Sequence, residues 1–202
     1  MITVALPKGR LMEETVELFN KKGLNIDIPS KSRKLFFYDK DKKYKFLIVR
    51  AQDVATYVEY NAACIGVVGL DVLREHNNNV FELLDLGIGY CKMVVAGKDE
   101  HCFSTKTKNI RVATKFVNIA KKHFIRKNIN AEIVKLYGSI ELAPLLGIAD
   151  CIVDIVSTGQ TLKDNGLKVI EEIFESTAML IANKTSFYTH NKQIKELVDI
   201  IQ

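Results

Sequence analysis

No apolar run in this sequence approaches the ~20 residues that a membrane-spanning helix needs, which excludes an integral helical membrane protein. The opening Met1-Ile2-Thr3-Val4-Ala5-Leu6-Pro7-Lys8 has too short an apolar stretch for a signal peptide, and its charge follows that stretch instead of preceding it. The expected location is therefore the cytoplasm. Cysteine is scarce: Cys64, Cys91, Cys102 and Cys151 form no CxxC pair, and no histidine stands at zinc-finger spacing from two of them. Cys64 and Cys151 lie inside apolar runs and read as small core residues; Cys91, after its glycine-rich turn, reads the same way, with a place lining a cleft as the alternative. Neither a disulfide nor a structural metal is expected. Internal repeats and low-complexity linkers are missing too.

Charge of one sign is not concentrated. The formal net charge is +5, with lysines spread along the chain. The densest stretch is Lys31-Ser32-Arg33-Lys34, followed by Lys40-Asp41-Lys42-Lys43 and Lys45. Most of these read as a solvated hairpin. No helix carries a one-sided basic stripe with interleaved aromatics, so a nucleic-acid partner is not expected. A modest positive bias does suit a polyphosphate substrate.

What is present is a core and an alternation. The 202 residues are 48% hydrophobic and 26% charged, enough for one large domain or two small ones and too apolar for disorder. Residues 2–6 read as a strand, Lys8-Gly9-Arg10 as a turn, and the next stretch as a helix with Glu13 and Glu14 in its first turn. Lys21, Lys22 and Gly23 suit its end. A hairpin is expected from 35–38 and 44–49, a helix from 52–60, a buried strand from 63–69 and a short helix from 70–75. Further strands are expected at 90–96, 110–113, 131–137, 149–156 and 178–182. Helices are expected at 116–127, 140–146, from about Thr158, and at 186–201. The stretch 97–109 reads as polar and irregular. This alternation predicts α/β architecture, with parallel-dominated sheets flanked by helices. The expected lobes are 1–87 plus 178–202, and 88–177, with crossovers near 85–90 and 166–178.

One segment carries chemistry. A buried strand ends in Asp154, then Ser157-Thr158-Gly159-Gln160-Thr161 leads into a helix. Backbone N–H groups of such a loop, with a helix N-terminus behind them, form an anion site. Ser157, Thr158 and Thr161 add hydroxyls, and Gly159 lets the backbone approach. Asp154 beside the loop can accept two ribose hydroxyl protons, one per oxygen. A hydroxyl residue near a helix start is usually only a cap. An acid, two apolar residues and Ser-Thr-Gly-x-Thr at the end of a buried strand is a far rarer arrangement, and it points to a phosphorylated ribose.

The run from Glu141 to Leu162 resembles the signature of the ATP phosphoribosyltransferase family. The likeness extends along nearly the whole chain, through Ala5-Leu6-Pro7-Lys8-Gly9-Arg10-Leu11, residues 49–54, residues 66–73 and residues 174–183. It implies a fold like the type II periplasmic binding proteins, with a cleft between lobes. It implies that adenine N1 of ATP attacks the anomeric carbon of 5-phosphoribosyl 1-pyrophosphate and that Mg-pyrophosphate leaves, the first step of histidine biosynthesis. Asp154 would hold the ribose hydroxyls, and Ser157, Thr158, Gly159, Gln160 and Thr161 the 5′-phosphate. Lys8, Arg10, Arg33 and Arg50 would serve the pyrophosphate and the ATP phosphates. Leu70, Asp71 and Glu141 are further cleft candidates. Mg²⁺ would come bound to substrate, with no protein side chain as metal ligand. His76, His101, His123 and His190 read as surface residues, since the reaction needs placement more than a base.

Longer members of that family continue into a C-terminal regulatory domain, whereas this chain stops at Gln202. The resemblance therefore implies the short form: a homodimer within a hetero-oligomer, with a separate regulatory subunit resembling a histidyl-tRNA synthetase. Two rivals are weighed. A salvage-type phosphoribosyltransferase would carry two adjacent acids before its loop, and Val153 takes the first of those places. A solute-binding protein of the same two-lobed fold would usually carry an export signal.

Overall fold

A computed structural model describes residues 1–29, 34–99 and 109–202. The chain divides into two compact units, Met1–Gly89 with Thr177–Gln202, and Tyr90–Ser176.

The first unit opens with β1 (Ile2–Pro7) and α1 (Arg10–Lys21). Met12, Thr15 and Phe19 are buried at helical spacing, so this face of α1 covers the sheet. The hairpin of β2 (Phe36–Tyr38) and β3 (Tyr44–Val49) forms as expected and pairs antiparallel. Asp39 fixes its turn by accepting the Tyr44 N–H at 2.7 Å. Next come α2 (Val54–Glu59), β4 (Ile65–Gly69), α3 (Leu70–His76) and β5 (Phe81–Asp85). No strand is expected from the sequence at β5. β1 runs parallel to both β3 and β4, with Pro7 opposite Val49 and Ala5 opposite Gly66. Alternate β1 residues face opposite ways: Ile2, Val4 and Leu6 join Phe19 in one apolar cluster, and Ala5 joins Val54, Val58 and Val72 in another. The sheet is thus covered on both faces, which is why β4 is apolar throughout.

The second unit contains β6 (Cys91–Gly97), β7 (Ile110–Thr114), α4 (Val117–Arg126), β8 (Ala131–Lys135), α5 (Leu142–Leu145), β9 (Cys151–Val156), α6 (Gln160–Asp164) and β10 (Lys168–Ser176). The strand order is β10-β6-β9-β7-β8. β7 is parallel to β8 and β9, whereas β6 is antiparallel to β9 and β10. The expected connection across 166–178 is in fact mostly β10, the longest strand. Register shifts between Val169 and Glu171 and between Glu172 and Phe174 interrupt its alternation. That is why Lys168-Val-Ile-Glu-Glu-Ile-Phe-Glu-Ser does not read as a strand. The helix expected over 140–146 shrinks to the four residues of α5.

The chain returns to the first unit through β11 (Ala178–Ala182), which inserts antiparallel between β4 and β5. The single helix expected over 186–201 is two helices, α7 (Lys184–Thr189) and α8 (Asn191–Ile201), separated at His190. Asn183 caps α7 by accepting the Ser186 N–H, and its own amide donates to the carbonyls of Val58 and Glu59. Ile194, Leu197 and Ile201 bury the inner face of α8. Both sheets are mixed: in the first the parallel strands β3, β1 and β4 occupy the middle, and in the second β9, β7 and β8 form a parallel side with β6 and β10 antiparallel beside it. Cys91 and Cys151 are buried and Cys64 is partly buried, while Cys102 lies outside the described residues.

Candidate functional site

In the second unit the chemistry gathers where β9 emerges from its sheet. Cys151, Ile152 and Val153 are buried, and exposure begins at Asp154. Asp154 and the following loop line a depression of about 230 Å³ together with Ile155, Val156, Ser157, Thr158, Gly159, Thr161 and Leu162. The shape has a local cause. Gly159 has φ +76°, a left-handed conformation that a side chain disfavours, and it hands the chain to α6. The first N–H groups of a helix have no intrahelical acceptor, so α6 aims donors back toward the loop. Hydroxyls of Ser157, Thr158 and Thr161 lie on exposed residues around the same hollow. Such a surface can hold a phosphate and a neighbouring diol. Gln160 is the exception within the loop: its side-chain amide donates to Asp164 Oδ1 at 2.6 Å, along α6.

The anchoring of Asp154 comes partly from outside the loop. Its Oδ1 accepts the Ile155 N–H at 2.8 Å and lies 3.8 Å from Lys115 Nζ. Lys115 follows β7, the parallel neighbour of β9, where Thr114 faces Val153. Sequence reading passes over Lys115, because the adjacency arises only from strand pairing. Glu141 sits half-buried just before α5 and is not among the residues lining the hollow.

In the first unit the expected cations gather at the carboxyl ends of parallel strands, where α/β sheets present their ligand sites. The Lys8 N–H donates to Val49 O at 2.7 Å, which sets Lys8 after β1 beside Arg50 after β3. Both side chains belong to exposed residues. Arg10 begins α1, and its Nε lies 3.2 Å from Glu14 Oε1. Leu70 and Asp71 open α3 at the end of β4, the other neighbour of β1. Asp71 is only 8% exposed and folds against Gly69, where a Cβ would meet its Oδ1 at 2.2 Å. It is thus turned inward. Arg33 lies outside the described residues.

The histidines differ from expectation at one position. The His123 side chain is only 11% exposed, with Nε2 3.4 Å from Glu171 Oε2 and its ring edge-on to Phe124. Burial lowers its pKa from the ordinary value; the Glu171 carboxylate opposes that shift, and Lys127 adds to it. His101 lies outside the described residues. Among the described residues no group of three or more His, Cys, Asp or Glu is placed to hold a metal ion, and no helix is long and apolar enough to cross a membrane.

Known proteins resemble this chain along its whole length. The family model described as ATP phosphoribosyltransferase matches residues 50–202. An ATP phosphoribosyltransferase from Sulfurovum sp. strain NBC37-1 is 51% identical over 202 residues, covering 100% of this chain and 97% of that one. Among solved structures, the ATP phosphoribosyl transferase (HisG:HisZ) complex from Thermotoga maritima superposes with a TM-score of 0.85 at 32% identity, covering 100% of this chain and 97% of that one. A probable amino-acid ABC transporter extracellular-binding protein, ytmK from Bacillus subtilis, gives a TM-score of 0.58 at 13% identity over 98% and 91% of the two chains. This last likeness concerns the fold alone.

Proposed function

Because the chain belongs to the ATP phosphoribosyltransferase family, we propose that the carboxyl end of β9 holds the phosphorylated ribose of 5-phosphoribosyl 1-pyrophosphate. The observation that carries this reading is the hollow in which Asp154, the hydroxyl-bearing loop and left-handed Gly159 face one space. Asp154 accepts the ribose hydroxyls. Ser157, Thr158, Gly159 and Thr161 surround the 5′-phosphate with N–H and O–H donors, and Gln160 contributes its backbone.

The reaction condenses ATP with 5-phosphoribosyl 1-pyrophosphate to N1-(5-phosphoribosyl)-ATP and pyrophosphate, the first step of histidine biosynthesis. Adenine N1 gives its lone pair to the ribose C1, and the C1–O bond breaks with its electron pair leaving on pyrophosphate. Positive charge develops on the sugar in between. The chain's task is to fix the ribose and to stabilise charge on the departing group. Lys8, Arg10 and Arg50 serve the phosphates in this reading, with Arg33 as a further candidate. Mg²⁺ arrives bound to the pyrophosphate and neutralises part of its charge.

The same reading assigns the short form: a homodimer in the cytoplasm, joined to a separate regulatory subunit resembling a histidyl-tRNA synthetase. Support comes from the likeness to one component of the Thermotoga maritima HisG:HisZ complex and from relatives of the same length. Thermal-shift binding tests the function directly. The full chain is expected to be stabilised by 5-phosphoribosyl 1-pyrophosphate with Mg²⁺ and separately by AMP or ATP. A response to neither would reject the reading.

A further inference from the structure

Three observations converge on Lys115. Its ammonium is 3.8 Å from Asp154 Oδ1, and both side chains are about three-quarters shielded, 26% and 24% exposed. That separation exceeds the about 2.7–2.9 Å of a direct charge-assisted hydrogen bond, so the ammonium's three N–H donors are not spent on the carboxylate. The residue is also firmly mounted. Thr114, fully buried, donates its hydroxyl to Val153 O at 2.6 Å and accepts the Phe116 N–H at 2.8 Å. These two hydrogen bonds of Thr114 lock the turn after β7 to β9, the strand that carries Asp154. The Lys115 ammonium sits over the ring of buried Phe116, with Nζ 4.7 Å from its centroid. A lysine that only capped a strand end on the surface would need none of this.

Substrate stereochemistry gives the position a purpose. In 5-phosphoribosyl 1-pyrophosphate the 1-pyrophosphate and the 2- and 3-hydroxyls lie on the same face of the ribose ring. A carboxylate that accepts those hydroxyls therefore stands on the face from which pyrophosphate departs. A cation 3.8 Å from that carboxylate is within reach of the same face. We propose that Lys115 is a further catalytic residue, which donates to the pyrophosphate oxygen that takes up the electron pair as the C1–O bond breaks. Asp154 keeps the ammonium in place before substrate binds, and Lys115 offsets the carboxylate's repulsion of the incoming anionic substrate. No proton leaves Lys115: the charge gained by pyrophosphate is matched by the charge that passes to the adenine ring as N1 bonds to C1.

The proposal rests on the assignment of Asp154 to the ribose, and the test separates the two. The full chain is compared with Lys115→Met, Lys115→Arg and Asp154→Asn in steady-state kinetics. The same proteins are titrated calorimetrically with ribose 5-phosphate, which lacks the leaving group, and with Mg-pyrophosphate. Lys115→Met is expected to lower kcat about 100-fold, the scale for one preorganised donor to developing negative charge. It is expected to weaken Mg-pyrophosphate binding and leave ribose 5-phosphate binding unchanged. Lys115→Arg should recover most of the turnover. Unchanged kcat in Lys115→Met, or equal loss of both ligands, overturns the leaving-group role; the second result would make Lys115 a support for Asp154. Normal ribose 5-phosphate binding by Asp154→Asn would instead overturn the ribose assignment beneath it.

Discussion

The carboxylate of Glu14 accepts the backbone N–H of Gly89 at 2.8 Å, joining residues 75 apart in sequence. The same carboxylate holds Arg10 Nε at 3.2 Å with its other oxygen, so Glu14 grips both a phosphate candidate and the last residue before the second unit. Gly89 has φ +66°, and a Cβ there would lie 2.7 Å from Leu11 Cδ1. Gly87 has a similar φ of +64° with nothing within 4 Å. Gly87→Ala is expected to cost about 1–2 kcal/mol from backbone strain. Gly89→Ala should cost more, because Leu11 must also move. Urea unfolding of both variants checks the order; equal losses would mean that Leu11 yields freely.

Asp154→Asn keeps the shape and removes the charge. Each hydrogen bond to a charged group contributes about 1.5–3 kcal/mol. With two ribose hydroxyls at stake, the fall in kcat/KM should correspond to several kcal/mol of lost transition-state stabilisation, with the fold intact. Near-normal turnover of the purified variant would remove Asp154 from the ribose role.

Gly159→Val and Thr161→Ala separate the backbone of the loop from its hydroxyls. At φ +76° a β-branched residue is strongly disfavoured, so Gly159→Val should deform the loop and block the 5′-phosphate. Thr161→Ala leaves the backbone donors in place and should weaken binding less. Titration with 5-phosphoribosyl 1-pyrophosphate gives the ranking, and the reverse order would contradict a backbone cradle.

Lys8 and Arg50 stand side by side at the ends of β1 and β3. Lys8→Ala and Arg50→Ala should each depress turnover strongly while leaving stability within about 0.5 kcal/mol, as expected for exposed positions. Turnover should also stop in excess chelator. Full activity under chelation would reject the metal requirement, and unaffected turnover in both variants would reject the cation assignment.

His123 makes stability depend on pH. Its imidazole titrates near 6.5 in the unfolded chain and lower in the folded one, mainly through burial. Between those two values the unfolded state binds more protons. The contribution is therefore fully present above pH 6.5 and is lost as pH falls through the folded value. His123→Gln should flatten that acid-side decline in unfolding free energy measured across a pH series. An unchanged slope would assign the pH dependence to other groups.

The two regions differ in how much the sequence discloses. Asp154 and the loop to Thr161 are contiguous, so strand, acid, glycine and helix start can be read in one line. The strands β1, β4 and β9 declare themselves as apolar runs because helices cover both faces of their sheets. β10 does not, since Glu171, Glu172 and Glu175 interrupt it and two register shifts break its alternation. β5 is short and only partly buried. The break between α7 and α8 at His190 leaves the apolar spacing of α8 intact, so the pattern alone runs on through it. Lys115 is invisible in sequence for another reason. Its partner lies on a different strand, and only the parallel pairing of β7 with β9 brings the two charges together.

The placement of β11 dictates an order of events during synthesis. Among the described residues β5 has β11 as its only sheet neighbour, and β11 also pairs with β4. A nascent chain emerging from the ribosome therefore carries β5 as an orphan until the whole of Tyr90–Ser176 has been made. The second unit, by contrast, is continuous in sequence, and its first and last strands pair directly, with Cys91 opposite Ser176. It can close while the first sheet still has a gap where β11 will go. The half that carries Asp154 can thus close before the half that opens the chain, although its residues are translated later than most of that half.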